Sequence, residues 1–381
     1  MQDLRYHMSN PSNKKDTYTE FDNIDFTLNA TGRKLVGGSV RLLGDVTVYP
    51  AGGDPLTETV QFDGLTGSHS WFSQIATSCS NIGQIESLNF YPHMVASKAR
   101  AQLAREDVFQ SQYTCENRCP DGRVAAALLK GTTFGDGVTY NSTLTRPMNF
   151  AVKPDFCLNN FVAGTDSNLP FAKTGDITVS LIVSQSTSVL YGTAKTGTGA
   201  IGVDRNITIS NLRLSFTTVP DDGKYAQAYQ MRVGSSLKQS LQSTYANIST
   251  LAALTADRFW MVFVPQNLDT SAEYNGLACY RPPNISRVEY LWSDSFSAEY
   301  TYAIVNEEEM LTNFVKAVNR VVGDNQCGLN ILASNDGFGL GLQFGSFVDL
   351  RKNKISVNIQ SGISSTAPVT AYMFFSGVVS I

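Results

Sequence analysis

The sequence predicts an all-β protein with a few helices, laid out as two β-sandwiches in succession. Three observations carry this reading. Apolar and polar residues alternate with the period of half-buried strands across residues 19–217, and the pattern resumes over 229–381. Between the blocks lies the polar stretch Val219-Pro220-Asp221-Asp222-Gly223-Lys224, whose proline and glycine break a sheet. Only 16 % of the residues are charged, against about 25 % in typical soluble domains, while Gly, Ser, Thr and Asn are plentiful, as strands and turns require. At 381 residues the chain exceeds a single core, so two domains are expected. Their expected limits are an N-terminal arm over 1–18, a first sandwich with a helical insertion over 19–218, an interdomain segment over 219–228, and a second sandwich with one helix over 229–381.

The first block opens with a strand over 21–28 and a turn over 29–32. In 39–50, Val40 and Leu42, then Val46 and Val48, alternate with polar partners on either side of Gly44, and a bulge at Leu43-Gly44 is expected there. A short strand over 58–62 follows. Ser68 then reads as the N-cap of a helix carrying Trp71, Phe72, Ile75 and Cys79 on one face, and a second helix is expected over 93–106. Strands return over 149–157 and 175–184, where Ile177, Val179, Leu181 and Val183 alternate with polar residues. The block closes on Ile207 and Ile209, then Leu212, Leu214 and Phe216.

The second block is shorter, with strands expected over 229–237, 259–265, 286–292, 298–305, 339–347, 354–361 and 369–379. One helix interrupts them. Asn306 caps it, Glu307, Glu308 and Glu309 sit in its positive first turn, and Gly323 stops it, beyond Lys316 and Arg320. Its apolar face is Met310, Leu311, Phe314, Val315, Val318 and Val322, the spacing of a helix lying on a sheet. Both blocks share one order, a few strands, a helical interruption and the remaining strands. Jelly rolls of roughly eight strands fit that order better than immunoglobulin-like sandwiches.

Composition and motifs exclude most chemistry. The net charge of −4 and the absence of Lys/Arg clusters argue against condensing or sequence-specific binding of nucleic acid, and the arm offsets Arg5, Lys14 and Lys15 with Asp3, Asp16 and Glu20. Six thinly spread cysteines point to folding in a reducing compartment; Cys115 and Cys119 read as two thiols or a local disulfide rather than a zinc site, which needs four ligands. With no apolar signal core at the N-terminus, and an apolar run over 371–381 too short to span a bilayer, a soluble protein without a cleaved leader is expected. The glycine-rich run Gly337-Phe338-Gly339-Leu340-Gly341-Leu342 leads into a strand, not a helix, so it marks a bend or a close approach rather than a phosphate loop. The histidines His7, His69 and His93 are not paired, and no nucleophile elbow or strand-borne histidine set accompanies them. The sequons at Asn29, Asn141, Asn206, Asn247 and Asn284 have chance as their default reading. Asp221-Asp222 and the 307–309 acidic run read as turn and helix-start chemistry. No catalytic, cofactor-binding or metal-binding residue is nominated, and no cofactor is expected.

Beside this reading the chain resembles the double jelly-roll major capsid proteins of tailless icosahedral DNA viruses, the lineage of membrane-containing phages, adenoviruses, virophages and polinton-like viruses. The resemblance covers nearly the whole chain. It rests on the architecture, on the segment Thr31-Gly32-Arg33-Lys34-Leu35-Val36-Gly37-Gly38-Ser39-Val40-Arg41-Leu42-Leu43-Gly44, and on Phe338-Gly339-Leu340-Gly341, Phe347-Val348-Asp349-Leu350 and Ile355-Ser356-Val357-Asn358-Ile359. It implies a structural subunit of the virion, not an enzyme. Three copies would form a homotrimeric, pseudo-hexagonal capsomer that tiles an icosahedral shell. Helices would brace the sandwiches, and loops over 103–145 and 191–205 would form a tower or intercapsomer contacts. The arm would reach beneath the shell to an internal membrane, a minor or vertex protein, or a neighbouring trimer. The arm and the interdomain segment are the stretches where contacts are expected. The alternatives are a jelly-roll vertex or attachment protein, and a carbohydrate-binding sandwich, which calls for exposed Trp or Tyr; Trp71, Trp260 and Trp292 all lie inside apolar patterns.

Overall fold

The structure, a computed structural model, describes residues 3–51, 61–102, 116–118, 148–191, 204–252, 254–269, 274–293, 299–318 and 337–381. The first half contains β1 (Arg5–Ser9), β2 (Thr17–Tyr18), β3 (Asn23–Leu28), β4 (Arg33–Val36), β5 (Arg41–Ala51), β6 (Gln61–Phe62), β7 (Phe72–Cys79), β8 (Gly83–Asn89), β9 (Met148–Val152), β10 (Asn168–Pro170), β11 (Ile177–Val183), β12 (Leu190–Tyr191) and β13 (Asp204–Pro220). Helix α1 (Tyr91–Gln102) follows β8, and the single turns α2 (Phe171–Thr174) and α3 (Ser186–Val189) flank β11. The second half contains β14 (Gln230–Leu241), β15 (Tyr245–Thr250), β16 (Thr255–Pro265), β17 (Arg287–Ser293), β18 (Glu299–Ile304), α4 (Glu307–Val318), β19 (Gly339–Asp349), β20 (Ile355–Gln360) and β21 (Val369–Ser380).

The eight-strand winding is the same in both halves, the first adding β4 and β10 to its larger sheet. In the second, one sheet runs β14-β21-β16-β19 and its partner β15-β20-β17-β18. Counted along the chain, these are strands 1-8-3-6 and 2-7-4-5, the two-sheet winding of a jelly roll. The first half gives the same winding, with β13, β5 and β9 in one sheet, β3-β11-β7-β8 in the other, and β1 with β2 as strand 1 on the outer edge of β13. Both helices interrupt the same connection, between strands 5 and 6.

Strand 1 of the first sandwich therefore comes from residues expected as an arm. Arg5 to Ser9 pair with Thr218 to Leu214 of β13, and His7 stacks on Phe216 with ring centroids 5.0 Å apart. The segment between β1 and β2 crosses β3, with the Ser12 N–H donating to Asp25 O at 2.7 Å and Lys15 paired with Asp22 at 2.7 Å. Polarity hid this strand, because its alternating apolar residues Leu4, Tyr6 and Met8 face solvent.

The segment expected as a helix after Ser68 is a 3-10 turn (Gly67–Trp71) followed by strand β7. Two features give that strand a helix-like spacing. Thr77 is buried among the core positions, hiding the alternation Ile75-Thr77-Cys79, and an irregularity opposite Ile182/Val183 shifts Phe72 out of phase. A correction also applies at Gly44. Val40, Leu42, Gly44, Val46 and Val48 all face the core, so β5 keeps one phase. The bulge lies across from it on β13, where Asn211 and Leu212 oppose Gly44 and Asn211 takes φ 50°. That extra residue moves the buried set from Ile207 and Ile209 to Leu212, Leu214 and Phe216. Gly44 is required because a Cβ there would stand 2.9 Å from the Phe150 ring. The strand expected over 149–157 ends at Val152 before Pro154, and Cys157 sits in a 3-10 turn.

Helix α4 forms as the sequence predicts. Asn306 Oδ1 accepts the Glu308 N–H at 2.9 Å, and Met310, Leu311, Phe314, Ala317 and Val318 are buried. The expected helix end at Arg320, Val322 and Gly323 lies outside the described residues. The glycine run is a close approach: a Cβ at Gly339 would collide with the Phe314 ring, and one at Gly341 would lie 2.8 Å from Ala317 Cβ. Gly345, on the same strand, has nothing within 4 Å. Gly341→Val is therefore expected to lower stability by about 1–3 kcal/mol through overpacking, with Gly345→Ala near neutral, as read by urea denaturation of both variants.

Candidate functional site: the seam between the sandwiches

Two strands of the second half read as unbroken apolar runs, Phe259 to Val264 in β16 and Ala371 to Phe375 in β21, and every one of these residues is buried. Such runs belong to strands covered on both faces. Phe259, Met261, Phe263, Ala371, Met373 and Phe375 pack into the second sandwich's own core, whereas Trp260, Val262, Val264, Tyr372 and Phe374 join the core of the first half. The sheet β14-β21-β16-β19 is thus shared between two cores. From outside it is met by β8, an end strand of the first sandwich, by α1, and by α4 over β19.

The seam carries hydrogen bonds as well as apolar contacts. Val162 N–H donates to Gln230 O at 2.9 Å and Arg232 N–H to Asn160 O at 2.7 Å, stitching the loop after β9 to β14. Trp260 Nε1 donates to Ser97 Oγ of α1 at 2.9 Å, and Ser236 Oγ to Asn89 O at 2.6 Å. Asp63 ties three elements together. Its Oδ1 accepts from Thr66 N and Oγ1, while its Oδ2 accepts from Arg100 Nη2 of α1 at 2.7 Å and from Asn275 Nδ2 of the second half at 2.6 Å. Burial alone would raise the Asp63 pKa, but the Arg100 charge and these hydrogen bonds outweigh it and hold the group at about 2.

Charged residues gather where this seam opens into a cavity of about 360 Å³, lined by Glu86, Lys98, Asp155, Arg232, Arg258 and Trp260 among others. Lys98 pairs with Asp155 at 2.8 Å, and Asp257 receives both Arg232 (3.0 Å) and Arg258 (3.1 Å). Glu86 is 4 % exposed and accepts two backbone N–H groups, from Cys157 at 2.7 Å and from Gly234 of the second half at 2.6 Å. Burial pushes its carboxyl up to about 7.

The histidines weighed in the sequence take packing roles. His69 Nδ1 lies 2.8 Å from Tyr91 Oη, and burial holds its pKa well below the usual range; His93 stacks on Tyr372 at 3.8 Å, and burial lowers it to about 4. Tyr372 in turn donates to Asp269, which pairs with Lys238 at 2.7 Å. Cys115, Cys119 and Asn141 lie outside the described residues. The interdomain segment wraps a buried lysine: Lys34 Nζ reaches Asp222 Oδ1 at 2.6 Å and Lys224 O, and stands 5.3 Å from the centre of the Tyr225 ring. Sequence reasoning passed over Glu86 and Asp63. The available signal was a lone acid at a core-phase position, two residues before Leu88, but β8 itself had not been recognised.

No protein-family model and no curated protein matches the chain. Solved structures do. The chain is similar to the Faustovirus major capsid protein with a TM-score of 0.59 and 10 % identity, over 100 % of this chain and 90 % of that one. It is similar to PBCV-1 VP54, in the crystal structure fitted into a reconstruction of the virophage Sputnik, with a TM-score of 0.58 and 8 % identity over 100 % and 95 % of the two chains. The mavirus major capsid protein gives 0.51 and 9 %, over 99 % and 90 %. The fold is a double jelly roll. At these identities it is the fold alone that is shared.

Within this double jelly roll the Asp63 junction is the best measure of how firmly the seam is held. Asp63→Ala strands Arg100 in a buried site and is expected to cost about 3–5 kcal/mol, read by chemical denaturation. Because the folded pKa lies below the ordinary 3.8, the stabilisation is present above pH 3.8 and is lost as pH falls towards about 2. An acid titration of stability should therefore be flatter between pH 4 and 2 in the variant.

Proposed function

We propose that the protein is a viral major capsid protein, a structural subunit rather than an enzyme, whose trimers form pseudo-hexagonal capsomers that tile an icosahedral shell in the virion. The observation that carries the reading is the joint inside the chain. It sets the outer face of one sandwich's 1-8-3-6 sheet against the end strand and helix of another sandwich of the same winding. Unlike surfaces joined in this way make a heterologous contact, which closes into a ring when its rotation permits. Three chains repeating their own internal joint would close a ring of six sandwiches.

Among the described residues, both surfaces needed for that repeat are at least partly exposed. On the first sandwich, the outward residues Arg41 and Arg213 are exposed, and Leu43, Asp45, Ser215 and Thr217 are half-buried. On the second, the end strand β18 exposes Glu299, Tyr300, Thr301 and Ala303. Edge strand β1 adds a row of exposed apolar residues, Leu4, Tyr6 and Met8, of the kind a subunit covers on meeting a neighbour. The structures it resembles include ones named as major capsid proteins.

The proposed division moves the boundary to 221–228, because Val219 and Pro220 still pair with β4, and counts 3–18 in the first sandwich because β1 and β2 complete it. Proposed partners are further copies of the chain, in the trimer and in neighbouring capsomers, and minor capsid or vertex proteins. Contact with an internal membrane is assigned to no described segment, since residues 3–18 are occupied on their own sandwich. Negative-stain electron microscopy of the purified chain should show uniform three-fold particles with a hexagonal outline. Monomers or rings of five would overturn the proposal.

A further inference from the structure

Glu86 stands apart from the other charges of the seam. Lys98 and Asp155 neutralise each other, and Arg232 and Arg258 share Asp257, whereas no cation lies within ion-pair distance of Glu86 among the described residues. What it has instead are two backbone donors, one from each sandwich: Cys157 N–H and Gly234 N–H. The second approach is close: a Cβ at position 234 would stand 2.6 Å from Leu88 Cδ2, so any side chain there would require Leu88 to repack or the strands to part. Glu86 therefore sits where the two halves approach each other closely. It also lines the cavity, which gives water and protons a route to it.

We propose that Glu86 is a proton-controlled latch between the two sandwiches: the seam closes fully around the neutral carboxyl and loosens when the group ionises and draws water through the cavity. This inference does not rest on the shell reading. Two uncharged N–H groups and the weakly donating Cys157 thiol do not replace the hydration that a carboxylate loses on burial, and the neighbouring charges do not supply the difference. Facing Glu86 are Asp155 and the Cys157 thiol from the loop after β9, Lys98 from α1, Arg232 from β14 and Arg258 from β16. The cations among them are already engaged with Asp155 and Asp257. Burial, opposed only in part by the two N–H bonds and by a hydrogen bond from the Cys157 thiol, raises the carboxyl from its ordinary 4.5 to about 7.

The sign follows from linkage. The closed seam binds the proton more tightly than a solvated Glu86 does, so closure is favoured fully below about pH 4.5, weakens as pH rises, and is weakest above about pH 7. Each unit of displacement is worth a factor of about ten in the opening equilibrium.

The test is hydrogen exchange on the full chain, corrected for the intrinsic pH dependence of exchange, over the segments containing Cys157 and Gly234. Between pH 5 and pH 8 their protection should fall by about tenfold or more in the wild type and stay level in Glu86→Gln, which carries no titratable group. Equal pH dependence in the two proteins, or none in the wild type, overturns the latch. Should Glu86→Gln fail to fold, a carboxyl ¹³C NMR titration of the wild type decides instead. One glutamate titrating near pH 7 supports the latch, and all glutamates titrating below pH 6 overturn it.

Discussion

The rest of the structure depends on one sheet being apolar on both faces. A sheet normally buries one face and leaves the other to water, so its strands alternate. β16 and β21 do not alternate, and the face carrying Trp260, Val262, Val264, Tyr372 and Phe374 has to be covered by something outside its own sandwich. At about 25 cal/mol per Å² of apolar surface, leaving these large side chains in water would cost several kcal/mol. The first sandwich, through β8 and α1, supplies the cover. The two halves consequently bury apolar surface against each other, although each has a complete jelly-roll winding.

Apolar contact alone would fix that two such bodies adhere, but not at what angle. Orientation comes from groups with directional needs. Asp63 must satisfy Thr66, Arg100 and Asn275 together, Trp260 must find Ser97, and Glu86 must meet an N–H from each half. A slip along the seam would leave several of these buried groups without partners, at a cost of about 1–3 kcal/mol each. The same groups that add little to adhesion thus select one arrangement. A subunit that builds a ring from its own internal joint, as proposed for this chain, would require that selectivity.

Much of this was legible in the sequence where a residue's role is local. The strand runs and the helix at 307 with its Asn306 cap follow from period and capping chemistry within a short window, whereas the glycine run signalled a bulge, a bend or a close approach without showing that Phe314 and Ala317 are what approaches. β1 was not legible, since a strand on an outer edge with its apolar row facing solvent carries no burial signal. β7 was misread because the buried Thr77 and a phase shift gave a strand the spacing of a helix. The seam was harder still. The continuous runs in β16 and β21 announced burial on both faces, but nothing local says what covers the second face. The partners of Asp63 and Glu86 lie up to 212 residues away.

The winding shared by the two sandwiches makes their differences informative. Each places a helix between strands 5 and 6, and the two helices touch where the halves meet. Yet α1 lies against the other sandwich, offering Ser97 to Trp260, whereas α4 lies against its own sheet, filling the hollow left by Gly339 and Gly341. Equivalent positions therefore do unequal work. At the internal seam the first sandwich covers and the second is covered, with α4 closing the part of the shared sheet that β8 and α1 leave. Two identical sandwiches could associate with either surface towards either partner. In the proposed capsomer, fusing two that differ in this way would fix one direction around a ring of three chains.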